Sequence, residues 1–482
     1  MTATAQAASA DPRFENAALA DMKRIFSKQQ SRAIQLRTST YAERLAKLNK
    51  LRDAVLKYEN QIIEACKKDL GRPETEATLG DIVPILQELK HTRKHLKKWM
   101  KGEFVMPTMM MFGTKTRVRY EPKGVSLIIA PWNYPVTLAL GPLVPALATG
   151  CTAIIKPSEL TPHCSQVVKD LINETFDESD VAVVEGAVEE TTALLELPFD
   201  HIFFTGSPAV GKIVMAAAAK HLTSVTLELG GKSPTIVDQT ADIERAAKGV
   251  AFGKFLNVGQ TCIAPDYLYV HESIKEPFLK ALSTHLQTTY GKDSKASADL
   301  GRIVNDRHFS RVSSLIAEAV GKGGNVVCGG ATDEAEKFIA PTVMDQVPAD
   351  ARIMSEEIFG PVLPVIGYTD LDKVIAEINA QPKPLGLYVY TRDNATARKV
   401  IENTSSGGAC VNTCTMQFLH ANAPFGGVNN SGIGTAHGKW GFKAFSHERT
   451  VVDNKFASTL LLAPPYTDFV KRMIGIVKAM LK

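Results

Sequence analysis

Cys262 stands in Phe255-Leu256-Asn257-Val258-Gly259-Gln260-Thr261-Cys262-Ile263-Ala264-Pro265, a thiol flanked by small, turn-prone residues that a substrate can approach closely. Upstream, Glu228 stands in Leu227-Glu228-Leu229-Gly230-Gly231-Lys232. A thiolate attacks a carbonyl carbon, and the thioester that can follow needs a base to activate the water that hydrolyses it. A cysteine and a carboxylate brought together by the fold would supply both halves of that chemistry. Leu227 and Leu229 argue against a solvated surface glutamate, and partial burial would raise the Glu228 pKa toward neutrality.

A second loop with chemical content is Gly206-Ser207-Pro208-Ala209-Val210-Gly211-Lys212, which follows an apolar run. It satisfies the start of a phosphate-binding P-loop, but Ile213 stands where magnesium binding needs Ser or Thr. The loop therefore reads as a turn onto a helix N-terminus able to receive a pyrophosphate. A P-loop nucleotide hydrolase is disfavoured by Ile213. A cysteine hydrolase would need a histidine base, and none of the eleven histidines lies in a recognisable partner motif. A non-catalytic role would be consistent with loss of Cys262 or Glu228, yet both are present.

The elements that must hold these residues can be read from apolar spacing. Thr40 to Lys68 and Leu79 to Lys101 predict two or three amphipathic helices, with a stop at Asp69-Leu70-Gly71-Arg72-Pro73. A Met-rich connector, Met106 to Met111, leads to an alternating, strand-like run from Thr114 to Tyr120. Strands are then predicted at Val125–Ala130, Thr152–Ile155, Val181–Val184, His201–Thr205 and Thr235–Val237. They alternate with helices at Ser165–Thr175, Glu189–Leu195 and Pro208–His221. That alternation implies a mostly parallel sheet covered by helices, the usual nucleotide-binding arrangement. After a break at Gly230-Gly231, helices at Ile243–Phe255 and Ile274–Tyr290 accompany strands near Tyr267–Val270, Asn325–Val327, Val362–Ile366 and Leu387–Tyr390. A Gly-rich tract, Pro424 to Gly434, follows.

The 482 residues allow two or three domains with sizeable cores, and 45% hydrophobic with 22% charged residues is an ordinary globular balance. Fifty-five basic residues against 51 acidic ones are too even to argue for nucleic acid. The seven cysteines (66, 151, 164, 262, 328, 410 and 414) are scattered and form no CxxC pair. They read as reduced thiols of a cytoplasmic protein, with neither a disulfide framework nor a metal site. Met1 to Arg13 carries no secretory pattern. Val125 to Gly150 is long enough to cross a bilayer, but Pro131, Pro135, Pro142, Pro145 and Asn133 make it buried core with a functional loop.

Further stretches fall into one order with the Cys262 and Glu228 segments. They are Pro131-Trp132-Asn133-Tyr134-Pro135, Lys156-Pro157-Ser158-Glu159, Phe204 to Gly211, Glu356-Glu357-Ile358-Phe359-Gly360-Pro361, Pro424-Phe425-Gly426-Gly427 and Ser431-Gly432. Together they make the chain resemble an aldehyde dehydrogenase over roughly residues 40 to 450. Gly259 to Tyr267 is similar to the class 3 version, the branch of fatty, benzaldehyde-type and coniferyl aldehyde dehydrogenases.

The resemblance implies an α/β fold of a Rossmann-like cofactor domain (1–113 and 125–229), an α/β catalytic domain (230–445) and a β extension for oligomerisation (114–124 and 446–465). It also implies a homodimer and a medium- to long-chain aliphatic or aromatic aldehyde as substrate, with coniferyl aldehyde as the narrower reading. Cys262 would be the nucleophile, Glu228 the base for thioester hydrolysis, and Asn133 an oxyanion donor beside the Cys262 N–H. Pre-aimed donors of that kind contribute about 3–4 kcal/mol. The presence of Glu228 argues against the CoA-acylating relatives. NAD or NADP would be held by Pro131, Trp132, Thr205, Gly206, Ser207, Val210, Gly211 and Leu229. Lys156 and Glu159 would take the adenosine ribose, Glu357 the nicotinamide ribose, and Phe359 would pack beside the nicotinamide. Finally, Tyr466 to Lys482 carries apolar residues at helical spacing among Lys471, Arg472, Lys478 and Lys482. Such a helix could pack on the body or a dimer partner, cover a hydrophobic entrance, or lie on a membrane surface.

Overall fold

Thr40 opens the first of the predicted helices with a capping box, its Oγ1 accepting from the Glu43 N–H while the Glu43 carboxylate accepts from the Thr40 N–H. The helix runs Tyr41–Lys57 and is followed by Glu59–Leu70, which stops at Gly71 in the left-handed region (φ 58°). The computed structural model describes residues 12–108, 111, 113–454 and 463–481, and side chains from residue 19 onward. Residues 1–11 of the amino-terminal stretch, 109 and 110 of the Met-rich connector, 112, 455–462 of the second bridging segment and Lys482 lie outside that description. Ahead of Thr40 stands a helix the periodicity reading did not anticipate, Pro12–Leu36.

The α/β expectation holds. The first sheet orders its parallel strands Ser224–Leu229, His201–Gly206, Val125–Ile129, Thr152–Lys156 and Val181–Val183. Every residue of Val125–Ile129 and Thr152–Lys156 is buried, because helices cover both faces. On one face Leu127 and Ile129 pack with Met22, Phe26, Leu194 and Val214. On the other, Ile128 and Ile155 pack with Leu51, Ile62, Leu89 and Leu171. Val125 to Gly150 is broken as expected, into a strand and the short helices Thr137–Leu140 and Leu143–Thr149.

One assignment needs correction. Thr235–Val237 belongs to the second sheet, since the chain leaves the first at Leu229 and crosses over through Gly230-Gly231. The strand that completes the first sheet is Ser224–Leu229, and Gly432–Ile433 returns from far downstream to pair with it antiparallel, Gly432 opposite Glu228. The second sheet is ordered Asn325–Cys328, Thr342–Asp345, Val362–Tyr368, Tyr267–His271, Pro234–Val237, Gly386–Tyr390 and Gly408–Val411, and only the first of these strands is antiparallel to its neighbour. A third sheet, antiparallel, joins Glu103–Val105, Thr114–Pro122 and Ser446–Asn454. After Ser446 every residue of its last strand is exposed. The carboxyl-terminal helix is Asp468–Met480, in which Val470 is buried and Phe469, Met473, Ile474, Ile476 and Met480 are exposed. Among the described residues no helix is long and apolar enough to cross a membrane.

Candidate active site

Glu228 sits at the carboxyl end of Ser224–Leu229, the edge of an open sheet where ligands bind. Only 7% of it is exposed, and its Oε1 has no hydrogen-bond partner among the described residues. Loss of solvation alone pushes its carboxyl up to about 8. Cys262 reaches the same place from the other sheet. Helix Ile243–Phe255 ends in a tight turn in which Asn257, Val258 and Gly259 are all left-handed (φ 51°, 56° and 72°), and this turn delivers the half-buried thiol. Burial pushes that thiol up to about 12, and the carboxylates of Glu228 and Glu357 push in the same direction.

Two cavities meet at these residues. One, of about 240 Å³, is walled by Pro131, Trp132, Asn133, Thr205, Gly206, Ser207, Glu228, Leu229, Cys262, Glu357 and Phe359, all expected from the sequence. Trp132 and Phe359 meet edge to face with ring centres 5.3 Å apart. Glu357 accepts from the Gly231 N–H at 3.0 Å, and burial pushes its carboxyl up to about 7. Asn133 Nδ2 donates to the Gln260 carbonyl at 2.9 Å, which leaves one N–H of that amide for another acceptor.

Ser207 caps helix Pro208–Ala219, accepting from the Val210 N–H at 3.4 Å. Val210, substantially exposed, and Gly211, buried, lie on that helix and are not among the residues that line the cavity. A Cβ on Gly211 would stand 2.7 Å from Leu229 Cδ2, so glycine permits the helix to seat against the strand. Lys156 and Glu159 stand apart from the wall as an ion pair of 2.9 Å, Lys156 buried and Glu159 substantially exposed. The wall fits a dinucleotide: Thr205 Oγ1 is buried without a partner among the described residues, two aromatic rings flank the space, and a capped helix N-terminus opens at one end.

His308, Arg311 and Gly230 also border this cavity and were not singled out from the sequence. The Trp132 and His308 rings are 4.9 Å apart, and Arg311 donates to the Glu357 and Ile358 carbonyls at 3.2 and 2.6 Å. Both lie on helix Asp306–Gly321, where polar residues one turn apart look like any solvated face. The second cavity shares Thr205, Glu228 and Cys262 and is mainly apolar and aromatic, with Leu138, Pro142, Phe203, Phe418, Phe425 and His437, while Gln87, Glu88 and Thr137 add polar groups to its wall. The Phe425 and His437 rings stack at 5.3 Å, and burial pulls the His437 imidazole down to about 4, which keeps it neutral.

The model of the aldehyde dehydrogenase family matches residues 7–451. The chain is 48% identical over 450 residues to 4,4'-diaponeurosporen-aldehyde dehydrogenase of Staphylococcus aureus, covering 92% of this chain and 95% of that one. It is 43% identical over 414 residues to the dimeric NADP-preferring aldehyde dehydrogenase of Rattus norvegicus, covering 86% and 90%. The solved structure of Staphylococcus aureus AldH in its substrate-bound state superposes with a TM-score of 0.91 at 45% identity, covering 96% of this chain and 99% of that one. The chain therefore belongs to the aldehyde dehydrogenase family, as an NAD(P)-dependent oxidoreductase acting on aldehydes.

Proposed function

We propose that this enzyme oxidises medium- to long-chain aliphatic or aromatic aldehydes to carboxylic acids through a covalent thioester on Cys262. The observation that carries the reading is the placement of Cys262 and Glu228 where the cavity walled by Asn133, Thr205, Ser207 and Glu357 meets a mainly apolar, aromatic one. The Cys262 thiolate, its proton already lost, adds to the aldehyde carbon, and the oxyanion that forms is held by the free N–H of Asn133 and the main-chain N–H of Cys262. Bound NAD or NADP supplies the hydride acceptor at its nicotinamide C4. Glu228, once ionised, takes a proton from the water that cleaves the thioester. Thr205, Gly206, Ser207, Leu229, Glu357, Trp132, Pro131 and Phe359 line the dinucleotide, with Lys156 and Glu159 at its adenosine end and Val210 and Gly211 behind its pyrophosphate.

The apolar wall supports long or aromatic acyl groups, since burying such surface stabilises a complex by about 25 cal/mol per Å². The stacked Phe425 and His437 rings, with Phe418 edge-on to both, favour the narrower alternative, a planar conjugated aldehyde such as coniferyl aldehyde. Steady-state kinetics over aliphatic and aromatic aldehydes with each cofactor decide between them. A kcat/KM highest for short, hydrophilic aldehydes would sink both.

We infer a division of labour into cofactor binding (1–113 and 125–229), catalysis (230–445) and subunit pairing (114–124 and 446–465). The exposure of every residue after Ser446 in the Ser446–Asn454 strand supports a homodimer, and the rat relative is named as dimeric. The uncovered apolar residues of Asp468–Met480, beside Lys471, Arg472 and Lys478, support contact with a membrane surface or a partner in a cytoplasmic enzyme.

A further inference from the structure

Arg72 is only 1% exposed, although no catalytic or cofactor motif contains it. It follows the left-handed Gly71, far in sequence from the Asn133 loop and the Cys262 loop, yet its guanidinium touches both. Nη1 pairs with Asp81, itself fully buried. Nη2 donates to the Asn133 carbonyl, while Nε and Nη2 donate to Asn257 Oδ1 at 3.1 and 2.8 Å. Asn257 completes the bridge, its Nδ2 donating to the Asn133 carbonyl at 2.9 Å and the Gln260 carbonyl at 3.2 Å. Gln260 O is also the acceptor for the Asn133 side chain.

Asp81 holds the far side of the Asn133 loop, its Oδ1 accepting from the Val136 and Thr137 N–H groups at 2.9 Å each. The guanidinium lies 4.7 Å from the centre of the Tyr134 ring, and the Tyr134 hydroxyl bonds Thr261 Oγ1 at 2.8 Å. Gly80 makes room for that ring, since a Cβ there would stand 2.7 Å from Tyr134 Cε1. Left-handed backbone at Asn257 and Val258 is costly for residues that carry a Cβ, and it persists where the surroundings impose it.

We propose that Arg72, with Asp81 as its counter-ion, is the positioning residue that locks the Asn133 loop to the Cys262 loop, so that thiol and amide donor converge on one carbonyl group. A planar fork of five donors can span three acceptors at fixed angles, whereas a lysine ammonium offers a single flexible point. The inference rests on Cys262 being the nucleophile.

The test uses the full-length enzyme with Cys262 intact and compares Arg72→Lys, Asn257→Gly and the double variant. Glycine accepts the left-handed backbone at 257, so that variant removes the bridge without straining the turn. Displacement of a reacting group by roughly 1 Å can cost 10²-fold, so the hydride burst of the first turnover should slow at least about tenfold. Half-saturation by aldehyde and cofactor should stay within about threefold, which splits kcat from KM as a loss of geometry does. Alkylation of Cys262 by iodoacetamide, measured without cofactor, should speed up as its loop loosens. The double variant should be no slower than the slower single, because both cut one bridge. A burst and an alkylation rate within about twofold of wild type in folded Asn257→Gly overturn the proposal, whatever Arg72→Lys does to folding. Turnover surviving in Cys262→Ala would instead overturn the nucleophile assignment itself.

Discussion

Thr205 and Glu228 are register partners on adjacent parallel strands, and each carries a buried oxygen without a hydrogen-bond partner among the described residues, Oγ1 of one and Oε1 of the other. Both border the two cavities that meet at Cys262. A buried polar atom left unpaired costs stability, so an orphaned pair at a junction of cavities marks a place completed by ligand or water. The same relationship explains why Glu228 holds its proton so tightly: no donor beside it stabilises the carboxylate.

Glu228→Gln removes the proposed base and keeps the shape. Steady-state turnover should fall by about 10²–10⁴-fold, the usual contribution of a positioned base. The first-turnover hydride burst should persist, because thiol addition precedes thioester hydrolysis. Stopped-flow absorbance of the reduced cofactor separates the two; a burst lost together with turnover would count against the base role.

The Glu228 carboxyl stands near 8 in the folded chain against an ordinary 4.5. Below 4.5 it is protonated in both folded and unfolded states. As pH rises from there through 8, the unfolded chain sheds this proton first, so the group's contribution to stability falls. Glu228→Gln removes that loss, and its stability advantage over wild type, read as a difference in Tm, should grow from pH 5 to pH 9, reaching on the order of a few kcal/mol at the alkaline end. A Tm difference that is flat across this range would show the carboxyl to be solvated.

Cys262→Ala should abolish NADH formation. Because burial and two carboxylates push the thiol up to about 12, iodoacetamide alkylation of the cofactor-free wild type should keep accelerating above pH 10. A rate that levels off by pH 8 would reveal an activated thiolate that this geometry does not provide.

Gly230→Ala should weaken cofactor binding and leave the fold standing. A Cβ at 230 would lie 2.4 Å from the Glu357 carboxylate oxygens and force that side chain out of the cavity wall. Titration calorimetry with each cofactor should show at least about a tenfold rise in Kd, the effect of removing one charged hydrogen bond. An unchanged Kd would separate Glu357 from cofactor binding.

Deleting residues 466–482 should leave Tm close to wild type, since Val470 is the one buried residue among those described in helix 468–480. If the helix covers the apolar entrance, kinetics on long-chain aldehydes should change more than on short-chain ones. Equal effects on both would assign the helix to a partner or a membrane surface instead.

Much of the scaffold was legible because parallel strands buried on both faces read as short apolar runs, as Val125–Ile129 and Thr152–Lys156 do. Pro12–Leu36 and Asp306–Gly321 escaped notice, because their polar faces differ little from any solvated helix. The Gly432–Ile433 strand could not be read at all. Two residues have no periodicity, and their partner lies some two hundred positions away.

By itself the sequence determined the chemistry on offer: one thiol in a tight-turn loop, one carboxylate between leucines, a glycine-rich helix start, and the family motifs that order them. Only the tertiary structure decided that Glu228 loses its solvent, that Cys262 reaches it from another sheet, and that Lys156 and Glu159 pair outside the cavity wall. It also revealed Arg72, which ties nearby Asp81 to two distant stretches of chain, at Asn133 and at Asn257. The physical reason is that a side chain's type is local, whereas its solvation and its partners are set by segments far away in sequence, and those set both charge and position.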